Sequence, residues 1–374
     1  MKGYYIHCNL AANGVYYAGV DNKIRQQIEE FKNISIIKEI VMNSKKNKFN
    51  KLLKRLPGRS RLHQWEAVYS KIEGRPDYIY IRKDIFDYGF IDFLRSIKKN
   101  FPFCKIVLEI PTYPYDKELF KKIVNYPLLL KDRKARNCFK KFVDRIVTYS
   151  NDEEIFEVPT IRIQNGIIVK SFPMIRNTLQ NDAINLIAVA TLQPYHGYER
   201  IIRGVADYYD NGGKREVNFL VVGSGVAQVE LKELVESLHL ENKVVFFGMK
   251  TGDELTDIFN QADIGIGSFG FYKIGLDRAS SLKTREYLAR GLPVISGCRQ
   301  DIFEIAPCDY HLEFPNDSSP VDIQKIIEFY DQTFVGKKKE DVFAEIRKYA
   351  EENVTMEKAF APVIEYLKTT LEGD

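Results

Sequence analysis

Long apolar runs are missing from this chain. No stretch approaches the roughly 20 residues that a membrane-spanning helix requires. The start, MKGYYIHCNLAANG, lacks the apolar core of a secretory leader. A protein working on the cytoplasmic side is therefore expected. Cysteine is scarce: Cys8, Cys104, Cys138, Cys298 and Cys308 are odd in number, scattered, and never form a CxxC pair. That speaks against a disulfide framework or a zinc site and fits a reducing compartment. The five histidines are equally dispersed, so no metal cluster is expected. No Walker A lysine motif occurs, which argues against a P-loop NTPase. Fixed-period repeats and a low-complexity tail are absent as well.

What is present is a globular composition divided in charge. The chain has 374 residues, 45% of them hydrophobic, enough for two domains of ordinary size. Residues 1–170 hold 33 Lys+Arg against 19 Asp+Glu, a net +14. Residues 171–374 hold 22 against 32, a net −10, and the halves sum to the overall +4. The basic excess peaks at 45–61, with eight Lys/Arg and no acid, and again at 131–145, with seven against two. Such runs suit nucleic acid, an anionic membrane surface, or a merely solvated face. Leu52, Leu53, Leu56 and Trp65 lie among or just beyond the charges of the first run, which favours the membrane surface. No recognised nucleic-acid module appears, and the acidic second half speaks against that partner.

Both halves alternate short apolar runs with amphipathic stretches, the pattern of parallel α/β domains. In the first half YYIHCNL, ISIIKEIVM, YIYIRK, KIVLEI, RIVTYS and TIRIQ read as strands, with helices over 19–32, 90–99 and parts of 116–142. QNGIIVKSFP, where the charge changes sign, marks a boundary between domains 1–170 and 171–355, followed by a closing helix over 356–374. In the second half INLIAVAT, VNFLVVG, VVFFG, IGIGS and PVIS read as strands, and the chain after 320 as mostly helical.

Ligands of parallel sheets sit at the carboxyl ends of strands, where helix N-termini present free N–H groups. LQPYHGYERI, GSGVAQ and FGFYKIGLDRASSLKTREY follow such ends. The Gly223-Ser224-Gly225 turn alone is a weak signal. SSLKTREYLARGLPVIS is more pointed. Ser280 or Ser281 caps a helix that Gly291 and Pro293 terminate, which puts Lys283 in the first turn, where the macrodipole favours anions. Glu286 follows at i+3, in the poorer order for a helical ion pair. A bound anion would account for the lysine; an exposed Lys–Glu pair is the plainer account.

The succession LIAVATLQPYHGYERII, FLVVGSG, VVFFGMK, ELTDIFNQADIGIGS, LKTREYLARGLPVIS resembles the family-4 retaining glycosyltransferases, over nearly the whole second half. HGYER together with LKTREYLARGLP is similar to their bacterial polysaccharide branch. The first half matches more loosely, through NLAANGVYYAGV, VLEIPTYPYD, IVTYSND and IRIQNGI. The resemblance implies the GT-B fold: two Rossmann-like domains across a cleft, with the last helix returning to the first.

It implies further that Lys283 neutralises the donor diphosphate, with Ser281 and Leu282 beside it, and that Glu286 accepts from the ribose hydroxyls. Arg278 stands where the family's first motif glutamate would be. His196 and Gly197 occupy the place of a Lys-Gly pair, with Arg200 one turn further on. Gly223 and Gly225 belong to the same donor side. Gly248, Met249 and Lys250 would face the base, and Asn13 and Gly14 would approach the phosphates. Glu109 would act at the acceptor, with Tyr113 and Tyr115 as a stacking surface.

The implied activity is sugar transfer with retention, without a metal or other cofactor, from a UDP- or GDP-linked donor. The implied acceptor is a polyprenyl-linked or other precursor of exopolysaccharide or capsule, at the inner face of the cell membrane. The missing first glutamate leaves open a non-catalytic relative that binds sugars or stabilises a partner enzyme.

Overall fold

The computed structural model describes residues 1–8, 18–42, 65–82, 86–116, 126–176 and 182–371. Asn13, Gly14 and the basic run 45–61 lie outside them. The chain divides into two compact units: Met1–Gln164 with Ala359–Asp374, and Asn165–Lys358.

Among the described residues, the first unit is built on β1 (Lys2–Cys8), β2 (Ile36–Met42), β3 (Tyr78–Arg82), β4 (Lys105–Ile110), β5 (Arg145–Thr148), β6 (Glu154–Ile155) and β7 (Val158–Arg162), in the order β2-β1-β3-β4-β5-β7-β6. Every pairing is parallel except β6 with β7. The inner strands are apolar on both faces, as a sheet covered by helices on each side requires. Phe31 of the helix Ala18–Lys32 meets Tyr80 and Phe360, the latter on the C-terminal helix Met356–Leu371. That contact is why the C-terminal segment belongs to the first unit.

In the second unit a six-stranded parallel sheet runs β10-β9-β8-β11-β13-β15. Its strands are β8 (Ile184–Val189), β9 (Val217–Val222), β10 (Val244–Gly248), β11 (Ile264–Ile266), β13 (Val294–Ser296) and β15 (His311–Glu313). A two-stranded parallel ribbon, β12 (Arg278–Ala279) with β14 (Arg299–Gln300), stands beside it. The five strands read from the second half are all present. The ribbon and β15 escape the reading because their residues, Arg-Ala, Arg-Gln and His-Leu-Glu, lack the apolar run that marks the equally short β11 and β13.

Arg200, on the helix Glu199–Asp210, fastens the loops at the carboxyl edge of this sheet. It is 1% exposed. Its Nε donates to the Ser319 carbonyl (2.6 Å), its Nη1 to the carbonyls of Phe269 (2.9 Å) and Pro315 (3.0 Å), and its Nη2 to Asp317 Oδ1 (3.1 Å). The sequence reading set this residue at the donor; its guanidinium is instead consumed inside the unit. Arg200→Met strands several inward-facing carbonyls and is expected to destabilise the unit by about 2–4 kcal/mol, from roughly 1–3 kcal/mol per unsatisfied buried group. Equilibrium denaturation of the variant measures this loss.

Candidate functional site

Four loops at the carboxyl edge of the second sheet carry the sequence-derived donor residues. After β8 the chain makes a 3-10 turn, Pro194–His196, and closes it with Gly197 at φ 67°. A Cβ on Gly197 would lie 2.4 Å from the Gly270 nitrogen and the Phe269 carbonyl carbon. Only glycine lets this turn press against the loop after β11, a contact sealed by Phe269 N–H donating to the His196 carbonyl (2.7 Å). Gly223 serves similarly after β9: φ is 122°, and a Cβ would fall 1.9 Å from the Ala190 carbonyl. Gly225 abuts Leu192 in the same way. Gly248 ends β10 and hands on to Met249, 67% exposed, while Lys250 turns aside to Glu254 (2.6 Å).

The helix Leu282–Arg290 begins at Ser281, whose extended backbone is that of an N-cap although its hydroxyl caps nothing. Ser280 turns away, accepting from the Asn165 backbone N–H (3.0 Å). Gly291, at φ 90°, closes the helix. Leu282 stays exposed. Lys283 reaches back across the edge, and its Nζ donates to Tyr198 Oη and Ser268 Oγ, each at 3.2 Å. Both acceptors are neutral. Burial without a carboxylate partner pushes the amine down to about 7. The ammonium is thus held at the first turn of a helix, against the dipole, with no carboxylate among the described residues bonded to it.

Glu286 does not pair with Lys283. Its Oε1 accepts from Arg290 Nε at 3.1 Å, acid before base at i,i+4, the better order. Burial raises its carboxyl even so, and Arg290 offsets part of that. Arg278 is held by Glu304 at 2.6 Å.

His196 is buried, and its Nδ1 accepts from the Gln193 N–H at 3.4 Å, which assigns the ring proton to Nε2. Among the described residues that Nε2–H has no protein acceptor. Burial first, then the neighbouring Lys283, push the imidazole down to about 3. The edge therefore presents one titratable cation and one donor that is neutral near pH 7. Such a pair suits an anionic oxygen ligand.

In the first unit Glu109 ends β4 fully buried, with no exposed surface. Tyr80 Oη (3.0 Å), Tyr149 Oη (3.2 Å) and Arg82 Nη1 donate to its carboxylate, and Lys23 Nζ lies 3.8 Å away. Burial alone would raise this carboxyl, but Arg82 and Lys23 outweigh it and hold it below the usual range. The sequence reading set Glu109 at the acceptor as a reacting group; the structure places it as the buried anchor of a polar cluster. Tyr115 also turns inward, 1% exposed, donating to Asp132 at 2.8 Å, so it offers no stacking face. Tyr113 packs edge-on against Phe156.

Sequence reasoning passed over Tyr198, Ser268 and Arg82. Tyr198 stands within HGYER and Ser268 ends IGIGS, so each adjoins a suspected position. Their contacts span 85 and 15 residues of chain, beyond any local pattern.

Residues 173–300, which include Lys283, His196, Tyr198 and Ser268, match the family described as glycosyl transferases group 1. A mannosylfructose-phosphate synthase of Agrobacterium fabrum is 25% identical over 172 residues, covering 44% of this chain and 37% of the relative. The chain thus spans little more than a third of the length of that relative. The sucrose-phosphate synthase of Thermosynechococcus elongatus superposes with a TM-score of 0.66 at 14% identity, over 99% of this chain and all of that one. Anabaena HepE in complex with UDP gives 0.65 at 14%, over 99% and 100%. A glycosyltransferase from Rickettsia africae gives 0.61 at 15%, with both chains covered in full. Residues 173–300 thus carry the match to the group 1 glycosyl transferases, and the chain along its whole length has the GT-B fold.

Proposed function

We propose that the chain transfers a glycosyl group, with retention of configuration, from a nucleoside diphosphate sugar to a precursor of a cell-surface polysaccharide. The observation that carries this reading is Lys283, an ammonium that among the described residues is bound by two neutral hydroxyls at a helix N-terminus. A donor diphosphate would balance that charge, and the His196 Nε2–H would donate to a second oxygen. HepE, of the same fold, has been solved with UDP and with UDP-glucose.

In the reaction the bond from the anomeric carbon to the diphosphate oxygen breaks, and a bond to the acceptor oxygen forms on the same face. The acceptor proton passes to the departing phosphate. Lys283 and the helix N–H groups stabilise the charge growing on that phosphate, a contribution worth about 10²–10³ in rate for one such donor. This positive potential lets the reading dispense with a metal, and EDTA is expected to leave turnover unchanged. Glu109 is assigned to anchoring Arg82 and Lys23. The run 45–61 supplies the chemistry for an anionic membrane surface bearing a polyprenyl-linked acceptor, at about 1 kcal/mol per Lys or Arg.

A second reading, a non-catalytic nucleotide-sugar binder, is favoured by the Arg278–Glu304 ion pair at the place of the missing glutamate. Turnover of any donor dismisses it.

Thermal shifts with UDP, GDP, CDP and their sugars are the direct test. Ligand at about 100 times Kd adds roughly 2.7 kcal/mol, several degrees at about 2–4 °C per kcal/mol. Lys283→Ala is expected to abolish the shift; a shift retained in full sinks the reading. Binding is expected to weaken as pH rises through about 7, where the ammonium is lost, by at most about tenfold per unit.

The unliganded protein behaves oppositely. Between about 7 and the ordinary lysine range the unfolded chain binds the extra proton, so this group's contribution to stability rises with pH. Lys283→Met is therefore expected to raise the unliganded Tm at pH 6 while removing the nucleotide response. Calorimetry with and without nucleotide checks both signs.

A further inference from the structure

We infer that Tyr198 is the positioning residue of the donor site, a buried hub that holds both Lys283 and His196 where a phosphate oxygen can meet them. The inference rests on the donor-site reading above. Tyr198 is 1% exposed, so it touches no ligand itself. Its hydroxyl accepts from Lys283 Nζ at 3.2 Å. Its ring lies 5.5 Å from the His196 imidazole, inclined by 32°, and 5.9 Å edge-on from Phe219 of β9. Lys283 and His196 come from segments far apart in the chain, and this one side chain registers them against the floor of the sheet.

The chemistry of the hub matters as much as its place. Burial raises the phenol well above its ordinary value, so it stays a neutral acceptor at any working pH. A carboxylate in its place would satisfy the ammonium and leave nothing for a phosphate to neutralise. A hydroxyl orients the amine without discharging it. Ser268, 2% exposed, does the same from the loop after β11. The other ionisable groups on the surrounding elements leave this balance intact. Glu199 is engaged by Lys273 at 2.5 Å, Glu286 by Arg290, and Cys298 is a thiol that burial keeps protonated.

Tyr198→Phe keeps the ring contacts and removes only the hydroxyl. Losing that acceptor disfavours the charged amine, so the alkaline limb of nucleotide binding should move to lower pH. Affinity for UDP or GDP, whichever binds the wild type, should fall about tenfold at pH 6.5, as expected for a hydrogen bond to a charged group. A merely structural tyrosine would lower Tm and leave the limb where it was.

The decisive comparison is the pH profile: the Tyr198→Phe limb should lie at lower pH than the wild-type limb, and a loss of affinity that is equal at every pH overturns the inference. So does a Tyr198→Phe protein with unaltered limb and affinity. If that variant fails to fold, Ser268→Ala tests the same cradle: the limb should shift in the same direction, and an unmoved limb counts against the hub. Lys283→Ala separates the two levels. Unchanged nucleotide binding there overturns the donor-site reading itself, whereas lost binding with an indifferent Tyr198→Phe overturns only the role of the tyrosine.

Discussion

The buried guanidinium of Arg200 is the constraint on which the second unit's working edge depends. Loops at the carboxyl end of a parallel sheet have few backbone partners of their own, because the strands beneath them have already ended. Arg200 supplies donors to three carbonyls, from Phe269, Pro315 and Ser319, and so ties the loop after β11 to the segment leading into the helix Ile323–Phe334. With Phe269 fixed, the Gly197 turn can seat against it, and with that turn seated His196 and Tyr198 take their places. An always-charged, planar, multi-donor side chain suits this task better than lysine, which would reach one acceptor at a time.

Above that clamp the edge is organised around a deliberate imbalance of charge. Within the second unit several cations are matched by carboxylates: Arg285 with Asp301, Arg290 with Glu286, Arg278 with Glu304. Lys283 is given hydroxyls instead. Its depressed basicity is what that arrangement costs, and an anionic ligand would restore it. Perturbed groups of this kind gather at functional sites because a fully satisfied charge has nothing left to offer a substrate. His196 complements it. Burial keeps the imidazole neutral, and the bond from Gln193 to Nδ1 leaves Nε2–H as a donor insensitive to pH.

The first unit solves its polar burial differently. Glu109, Arg82 and Lys23 converge at the carboxyl ends of β3 and β4, with three tyrosines around them: Tyr5, Tyr80 and Tyr149. Here the carboxylate is the satisfied member, accepting from three residues, so its lowered titration reflects structure and not a poised base. Two buried ionisable groups at equivalent edges, Glu109 and Lys283, thus have opposite meanings, and only their partners distinguish them.

Much of this was legible in the residues. Parallel strands declared themselves as apolar runs, because a strand covered on both faces has no polar side to alternate. The helix Leu282–Arg290 and its ends followed from a serine at the cap position, a closing glycine and a proline, although the serine hydroxyl makes no capping bond. The cation in its first turn followed from the same short stretch, since cap and charge are local properties. Tertiary structure decided the rest. Arg200 and Lys283 are both cations in the first turn of a helix at the same sheet edge, and no periodicity separates them. One meets backbone carbonyls of the 315–319 segment and is consumed; the other meets Tyr198 and Ser268 and stays available. A charge's function depends on what faces it, and residues distant in the chain face one another only once the sheet has formed.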